Sequence, residues 1–217
     1  MLAGRRRQPL NKLDSWSVAH GILNGEVDPH HRSHGLENQS LEIADVLATD
    51  AGMLGLWSPT SFREVIDYET WEDALLEDED VSRHIAAGAF VPVNIGSDGA
   101  FQLAARIGST HEPAELTERE RRYLLVSSSS YLFVSTGAAV ISGMEHVQAD
   151  PDVGLKIPLP AGRWSVTVAL LDWADEPGSK DDHARPTATA LPDFTLLINP
   201  EDDPSCAYRT NVLTFDR

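Results

Sequence analysis

The sequence contains a single cysteine among its 217 residues, Cys206, so no disulfide bond can form within the chain. It also lacks a run of about 18 consecutive apolar residues, which is the length that a membrane-spanning helix needs. Arginines occur at residues 5–7, but no apolar segment of the kind found in a secretory signal follows them. These absences predict a cytoplasmic protein that depends on its apolar core for stability.

Basic residues are scarce. The chain has 17 Lys and Arg residues against 34 Asp and Glu residues, which gives a formal net charge of −17 at pH 7. A surface of this sign repels the phosphates of nucleic acids and of anionic lipids, so we expect neither class as a partner. The charge fits either plain solubility or the binding of a basic protein.

Sequence motifs of the common enzyme classes are missing as well. The chain has no phosphate-binding glycine loop, no G-x-S-x-G nucleophile motif and no C-x-x-C pair. His111-Glu112 begins like a zinc-protease motif, but Glu115 stands where the second histidine belongs. The sequence therefore predicts a protein that is not an enzyme and that needs no cofactor.

What the sequence does contain is a series of strand patterns. Asp98-Gly99 lies between two β-rich runs, 89–95 and 100–107, and predicts a β-hairpin. Apolar and polar residues alternate along 163–173, which predicts a long strand. Strand candidates at this density predict a β-rich α+β fold, with an antiparallel sandwich or barrel-like sheet and a few short helices.

Two helices are predicted before the hairpin. Thr60 or Ser61 is typical of the cap of a short helix that runs through Asp67. Residues 71–79 predict an acidic amphipathic helix whose inward positions are Trp71, Leu75 and Leu76. For the whole chain we expect a disordered basic leader over 1–12 and a single β-rich domain over 13–217, with a possible boundary near residue 88.

The stretch between Arg63 and Arg83 is acidic throughout and contains no Lys or Arg. One interpretation is a solvated helix face. The other is a docking surface for a basic protein, where opposite charge speeds association and sets specificity. The candidate partner-binding residues are Glu64, Asp67, Glu69, Glu72, Asp73, Glu77, Asp78, Glu79 and Asp80.

A second polar group lies near the start of the chain. Asp28, His30, His31 and His34 have the residue types and spacing of metal ligands, although the segment lacks helical periodicity and also fits an exposed polar loop. These four residues carry the alternative hypothesis, which is a metal-binding module or a metal-dependent hydrolase.

Residues 45–200 contain several turn and strand signatures: Thr49-Asp50, Trp71 in an acidic helix, Asn94 to Gly99, Pro160 to Trp164, and Pro192-Asp193-Phe194. Together they resemble an uncharacterised bacterial family that is similar to immunity proteins of polymorphic toxin systems. The resemblance implies a cytoplasmic protein that binds and neutralises a toxin, and it brings no catalytic residues. Asp98 and Gly99 are interpreted as structural turn residues. A third hypothesis is an accessory protein that assembles through exposed sheet edges.

Overall fold

The computed structural model describes residues 41–215. Within that range the chain forms ten strands in two sheets, together with three short helices, and neither sheet closes into a barrel. The prediction of a β-rich α+β fold with a few short helices is confirmed. The predicted basic leader over 1–12 lies outside the described residues, as does the whole histidine-rich segment.

The larger sheet has six strands. They are β1 (Leu41–Thr49), β4 (Gly99–Ile107), β5 (Leu124–Ser127), β6 (Tyr131–Ser135), β9 (Gly162–Leu171) and β10 (Phe194–Pro200). Their order is β1-β4-β10-β9, and β5 and β6 follow one another along the outer edge of β9. The pair β4–β10 is parallel and the other pairs are antiparallel.

The smaller sheet has four strands in the order β3-β2-β7-β8, and all of its pairs are antiparallel. These strands are β2 (Met53–Trp57), β3 (Phe90–Asn94), β7 (Ala139–Gly143) and β8 (Leu155–Ile157). Both sheets contribute side chains to one apolar core, in which Trp57, Phe90, Phe133 and Phe194 are almost wholly buried. Burial of such large side chains is the main stabilising contribution to a fold of this kind.

The alternation in the longest strand is seen in the structure as the sequence predicts. Trp164, Val166, Val168 and Leu170 of β9 are all buried, with exposed fractions of 8% or less. Successive side chains of a strand point to opposite faces, so these four residues share the face that packs into the core. This confirms that period-two alternation identified a real strand.

The predicted hairpin over 89–107 is wrong, although both of its strands exist. β3 pairs with β2 in the smaller sheet, whereas β4 pairs with β1 and β10 in the larger one. The backbone N–H groups of Ile95 and Gly96 both donate to the Gly52 carbonyl at 2.9 Å, and Gly96 adopts a φ of +71°. This left-handed turn, which glycine adopts without strain, leads the chain from one sheet to the other. Asp98 is exposed in that connection and Gly99 is the first residue of β4.

The predicted single helix over 71–79 is also wrong, because two helices occupy this region. They are α1 (Tyr68–Leu75) and α2 (Asp78–Ala86), and Glu77 between them has an extended backbone. Three acids follow Glu77 in the first turn of α2, where negative charge is favourable beside the free N–H groups. Leu76, which we expected to face inward, is 56% exposed.

The remaining local predictions are met in part. The helix expected over 60–67 is a 3-10 turn at Pro59–Phe62, and Asp67 instead caps α1. A third helix, α3 (Glu118–Arg122), is not among the helices predicted from the sequence. No helix among the described residues is long and apolar enough to cross a membrane.

Candidate protein-binding surface

The acidic surface is built on α1 and α2, and its first element is the start of α1. The Thr70 N–H donates to the Asp67 carboxylate at 2.9 Å, and the Asp67 N–H donates to the Thr70 hydroxyl at 3.1 Å. This reciprocal cap fixes where the helix begins, because it satisfies N–H groups that have no partner within the helix. The two hydrogen bonds from Thr70 to the Asp67 side chain also lower the pKa of Asp67, so this carboxylate stays ionised near neutral pH.

Both helices are held against the body of the protein by a few buried groups. The Trp71 indole N–H donates to the Met144 carbonyl at 3.0 Å, and Leu75 is wholly buried. In α2, Val81 and Ile85 are buried. Each helix therefore presents its charged side to solvent from a fixed position.

The structure keeps the nine predicted partner-binding acids together on this surface. Seven are exposed, and two, Glu72 and Asp80, are half-buried. Residues 63–83 contain these nine acids and two arginines, which gives the segment a net charge of −7. The exposed acids are Glu64, Asp67, Glu69, Asp73, Glu77, Asp78 and Glu79.

Some of these acids already have partners within the chain. Asp80 forms a salt bridge with Arg83 at 2.7 Å, and Glu64 lies 3.9 Å from the Arg63 guanidinium. Glu72 accepts a hydrogen bond from the Tyr68 hydroxyl, and this bond together with the negative charge raises the pKa of Tyr68. The carboxylates of five acids make no hydrogen bond or salt bridge with another described residue: Glu69, Asp73, Glu77, Asp78 and Glu79.

Next to these acids lies an apolar cluster that the sequence analysis missed. Ile66, Tyr68 and Leu76 are 72%, 71% and 56% exposed. The Tyr68 and Trp71 rings stack with their centroids 6.2 Å apart and their planes at 13°. Apolar residues at 66, 68, 71, 75 and 76 are too many for the single buried face of a helix, and that excess is the sequence signal that could have indicated an exposed patch.

We call the hollow beside this cluster the aromatic groove. It has a volume of about 540 Å³ and is lined by Val65, Asp67, Tyr68, Trp71, Leu76, Glu145, Val147 and Gln148. Glu145 reaches it from the 3-10 turn Met144–His146, which follows β7. The groove therefore combines aromatic and aliphatic walls with two carboxylates.

The Glu145 carboxylate is fixed by two hydrogen bonds. Its Oε2 accepts from the Thr49 hydroxyl at 3.0 Å, and its Oε1 accepts from the Asp50 N–H at 2.9 Å. Gly143 makes this position possible, because a Cβ there would lie 2.4 Å from the carboxylate oxygen. Sequence reasoning did not find Glu145, which lies about 70 residues from the acidic run.

Among residues 41–215, no group of three or more His, Cys, Asp and Glu side chains is arranged to hold a metal ion. The predicted ligands Asp28, His30, His31 and His34 lie outside the described residues. The metal hypothesis therefore stays a prediction.

Comparisons with known proteins identify a similar fold but do not identify a family. No family model matches the sequence, and no curated protein matches it. The chain is similar to a solved structure described as crocagin biosynthetic gene J, with a TM-score of 0.53 and 15% identity over 75% of this chain and 99% of that one. A second solved structure is ComJ from Bacillus subtilis, described as an inhibitor of the DNA-degrading activity of NucA. Its TM-score is 0.41, with 15% identity over 75% of this chain and 96% of that one. The first of these likenesses shows that the chain shares its fold with a known protein.

Proposed function

We propose that this chain is a non-enzymatic binding protein of the immunity type, and that its α1–α2 surface engages a basic protein such as a toxin. The observation that carries the proposal is the coincidence of two features on one surface. Residues 66–79 carry five exposed carboxylates without side-chain partners in the described chain, together with the exposed apolar side chains of Ile66, Tyr68 and Leu76.

Each feature has a separate role in binding. Protein interfaces place aromatic and aliphatic side chains at the centre and polar groups at the rim, and Trp and Tyr are enriched among the residues that contribute most affinity. Charged rims contribute mainly to association rate and specificity. A solubilising surface needs the carboxylates alone, so the exposed apolar cluster favours a docking role.

The sign of the charge restricts the partner. An enzyme that cleaves nucleic acid needs a basic surface to hold phosphates, and an acidic protein surface competes for the same region. The resemblance of the sequence to immunity proteins points in the same direction. We therefore expect the partner to be a basic toxin, with a nuclease as the leading class.

The test is co-expression of the chain with the product of each neighbouring toxin-like gene, followed by co-purification and a survival assay. The informative variant removes four free charges: Glu69→Gln, Asp73→Asn, Glu77→Gln and Glu79→Gln. The matched control removes four exposed acids elsewhere: Glu112→Gln, Asp175→Asn, Asp182→Asn and Asp202→Asn. Both variants carry the same net charge, so a difference between them reports the position of the acids.

We expect the surface variant to raise the dissociation constant about tenfold, mainly by slowing association, and the control variant to change it less than twofold. Equal weakening in both variants would show that only the overall charge matters. A chain that neither co-purifies with a neighbouring gene product nor protects cells would contradict the proposed function.

A further inference from the structure

We propose that the aromatic groove binds an arginine side chain of the basic partner, which inserts between the Tyr68–Trp71 pair and the carboxylates of Asp67 and Glu145. This inference rests on the proposed function, since it identifies the side chain that the partner places at the centre of the interface.

The aromatic wall provides the first contact. Tyr68 is 71% exposed and its ring is stacked nearly parallel to that of Trp71. The indole N–H of Trp71 donates to the Met144 carbonyl, which holds the Trp71 ring in place, and the Tyr68 ring stacks on it. A guanidinium group stacks on the face of such a ring through its charge and its planar shape.

The two carboxylates provide the second contact. Asp67 is held by Thr70, and Glu145 is held by Thr49 and Asp50. Each oxygen of a carboxylate accepts more than one hydrogen bond, so these bonds leave acceptor capacity for a guanidinium. Because both carboxylates are already ordered, binding costs little additional side-chain entropy.

The composition of the lining favours arginine over other occupants. None of the eight lining residues is Lys or Arg, and the salt-bridge contact of Glu145 is the one with the His146 ring, whose Nε2 lies 3.7 Å from Oε1. An apolar side chain would remove the carboxylates from water without replacing their hydrogen bonds, which is unfavourable. A lysine ammonium is strongly hydrated and has no planar face to stack, so arginine satisfies both walls better.

The experiment measures the affinity of the full chain for a nona-arginine peptide and a nona-lysine peptide by isothermal titration calorimetry. Tyr68→Ala removes the exposed ring, and Tyr68→Phe keeps the ring while removing its hydroxyl. Leu125→Ala is the matched control, because Leu125 is 44% exposed on β5 of the larger sheet. Thermal unfolding of each variant checks that it is folded.

We expect Tyr68→Ala to raise the dissociation constant for nona-arginine about two- to thirtyfold, the range of a cation–π contact from an exposed to a desolvated site. Tyr68→Phe and Leu125→Ala should change it less than twofold, and nona-lysine should be insensitive to Tyr68→Ala. Nona-arginine affinity that does not change in Tyr68→Ala, or an equal loss for nona-lysine, would overturn the inference.

The failure of this inference differs from the failure of the proposed function. If the four-charge surface variant loses the protein partner while Tyr68→Ala keeps it, the acidic surface binds the partner and the groove does not hold its arginine. If the four-charge surface variant and its control bind the partner equally well, the α1–α2 surface is not the binding surface, and the groove proposal fails with it. If the wild-type chain has no such partner and does not protect cells, the proposed function itself is wrong.

Discussion

Replacing Glu120 with glutamine tests how strongly the polar network under α3 stabilises the larger sheet. The side chains of Glu120 and Arg106 are only 4% and 11% exposed. Arg106 donates to both Glu120 oxygens at 3.1 Å, and its other contacts are the Glu42 carboxylate and the Glu115 carbonyl, each at 2.5 Å. The network therefore joins α3 to β1 and β4.

The size of the effect follows from the acceptors that glutamine lacks. Oε2 of Glu120 accepts from Arg106 at 3.1 Å and from the Thr117 N–H at 2.6 Å, whereas Oε1 accepts from Arg106 at 3.1 Å and from the Thr195 hydroxyl at 3.3 Å. A glutamine NH₂ in place of either oxygen would face two donors. Breaking a buried pair of this kind costs about 3–5 kcal/mol, and Arg106 keeps Glu42 as a partner, so we expect a loss of about 3 kcal/mol.

The measurement is urea denaturation followed by circular dichroism, together with the thermal midpoint. A loss of about 3 kcal/mol corresponds to a midpoint lower by about 6–12 °C for a chain of this size. Glu118→Gln is the control, because Glu118 is exposed on the same helix and its charge has far less effect. A loss below about 1 kcal/mol for Glu120→Gln, with an unchanged denaturant slope, would refute the reasoning.

Four further outcomes follow from the structure. Burial alone would raise the pKa of Glu120, but hydrogen bonds from Arg106 and its other partners outweigh burial and lower it below the ordinary value of 4.5. The stability that depends on this charge is therefore complete above pH 4.5 and is lost as the pH falls below it, and a pH series of thermal midpoints should fall less steeply in Glu120→Gln than in the wild type. Gly55→Ala should destabilise the protein by about 3 kcal/mol in urea denaturation, because its Cβ would lie 2.3 Å from the buried Phe90 ring. Asp67→Ala should lower the thermal midpoint more than Asp67→Asn does, since asparagine still caps α1. Raising the salt concentration should raise the thermal midpoint of the free protein, because it screens repulsion within the −17 charge, and should weaken its binding to a basic partner measured by calorimetry.

The sequence correctly predicted a strand where the local alternation of apolar and polar residues indicates which face is buried. Alternation along β9 identified its buried face. Strand pairing was not local in the same way. The Asp98-Gly99 pair indicated a turn, but β3 and β4 are paired in different sheets, so the partner of each strand was decided by packing across the whole core.

The candidate surface was predicted to a similar extent. The acidic run 64–80 was visible in the sequence, because charge density needs no tertiary information. The acidic run is divided into two helices because the backbone of Glu77 is extended. The aromatic groove includes Glu145, which lies just after β7 and is distant from the acidic run in the sequence. A site that joins residues about 70 positions apart has no local signature.

The acids of α1 and α2 therefore fall into two groups with different work to do. Three of them interact within this surface. Asp67 caps α1, Glu72 interacts with the Tyr68 hydroxyl, and Asp80 forms a salt bridge with Arg83. Glu69, Asp73, Glu77, Asp78 and Glu79 make no such contact with the described chain and repel one another in the free protein. A basic partner relieves that repulsion, so the same charges that destabilise the free protein favour its complex. Substitutions at these five acids can accordingly change binding without removing a stabilising contact, whereas Asp67 serves both as the cap of α1 and as a contact of the proposed arginine.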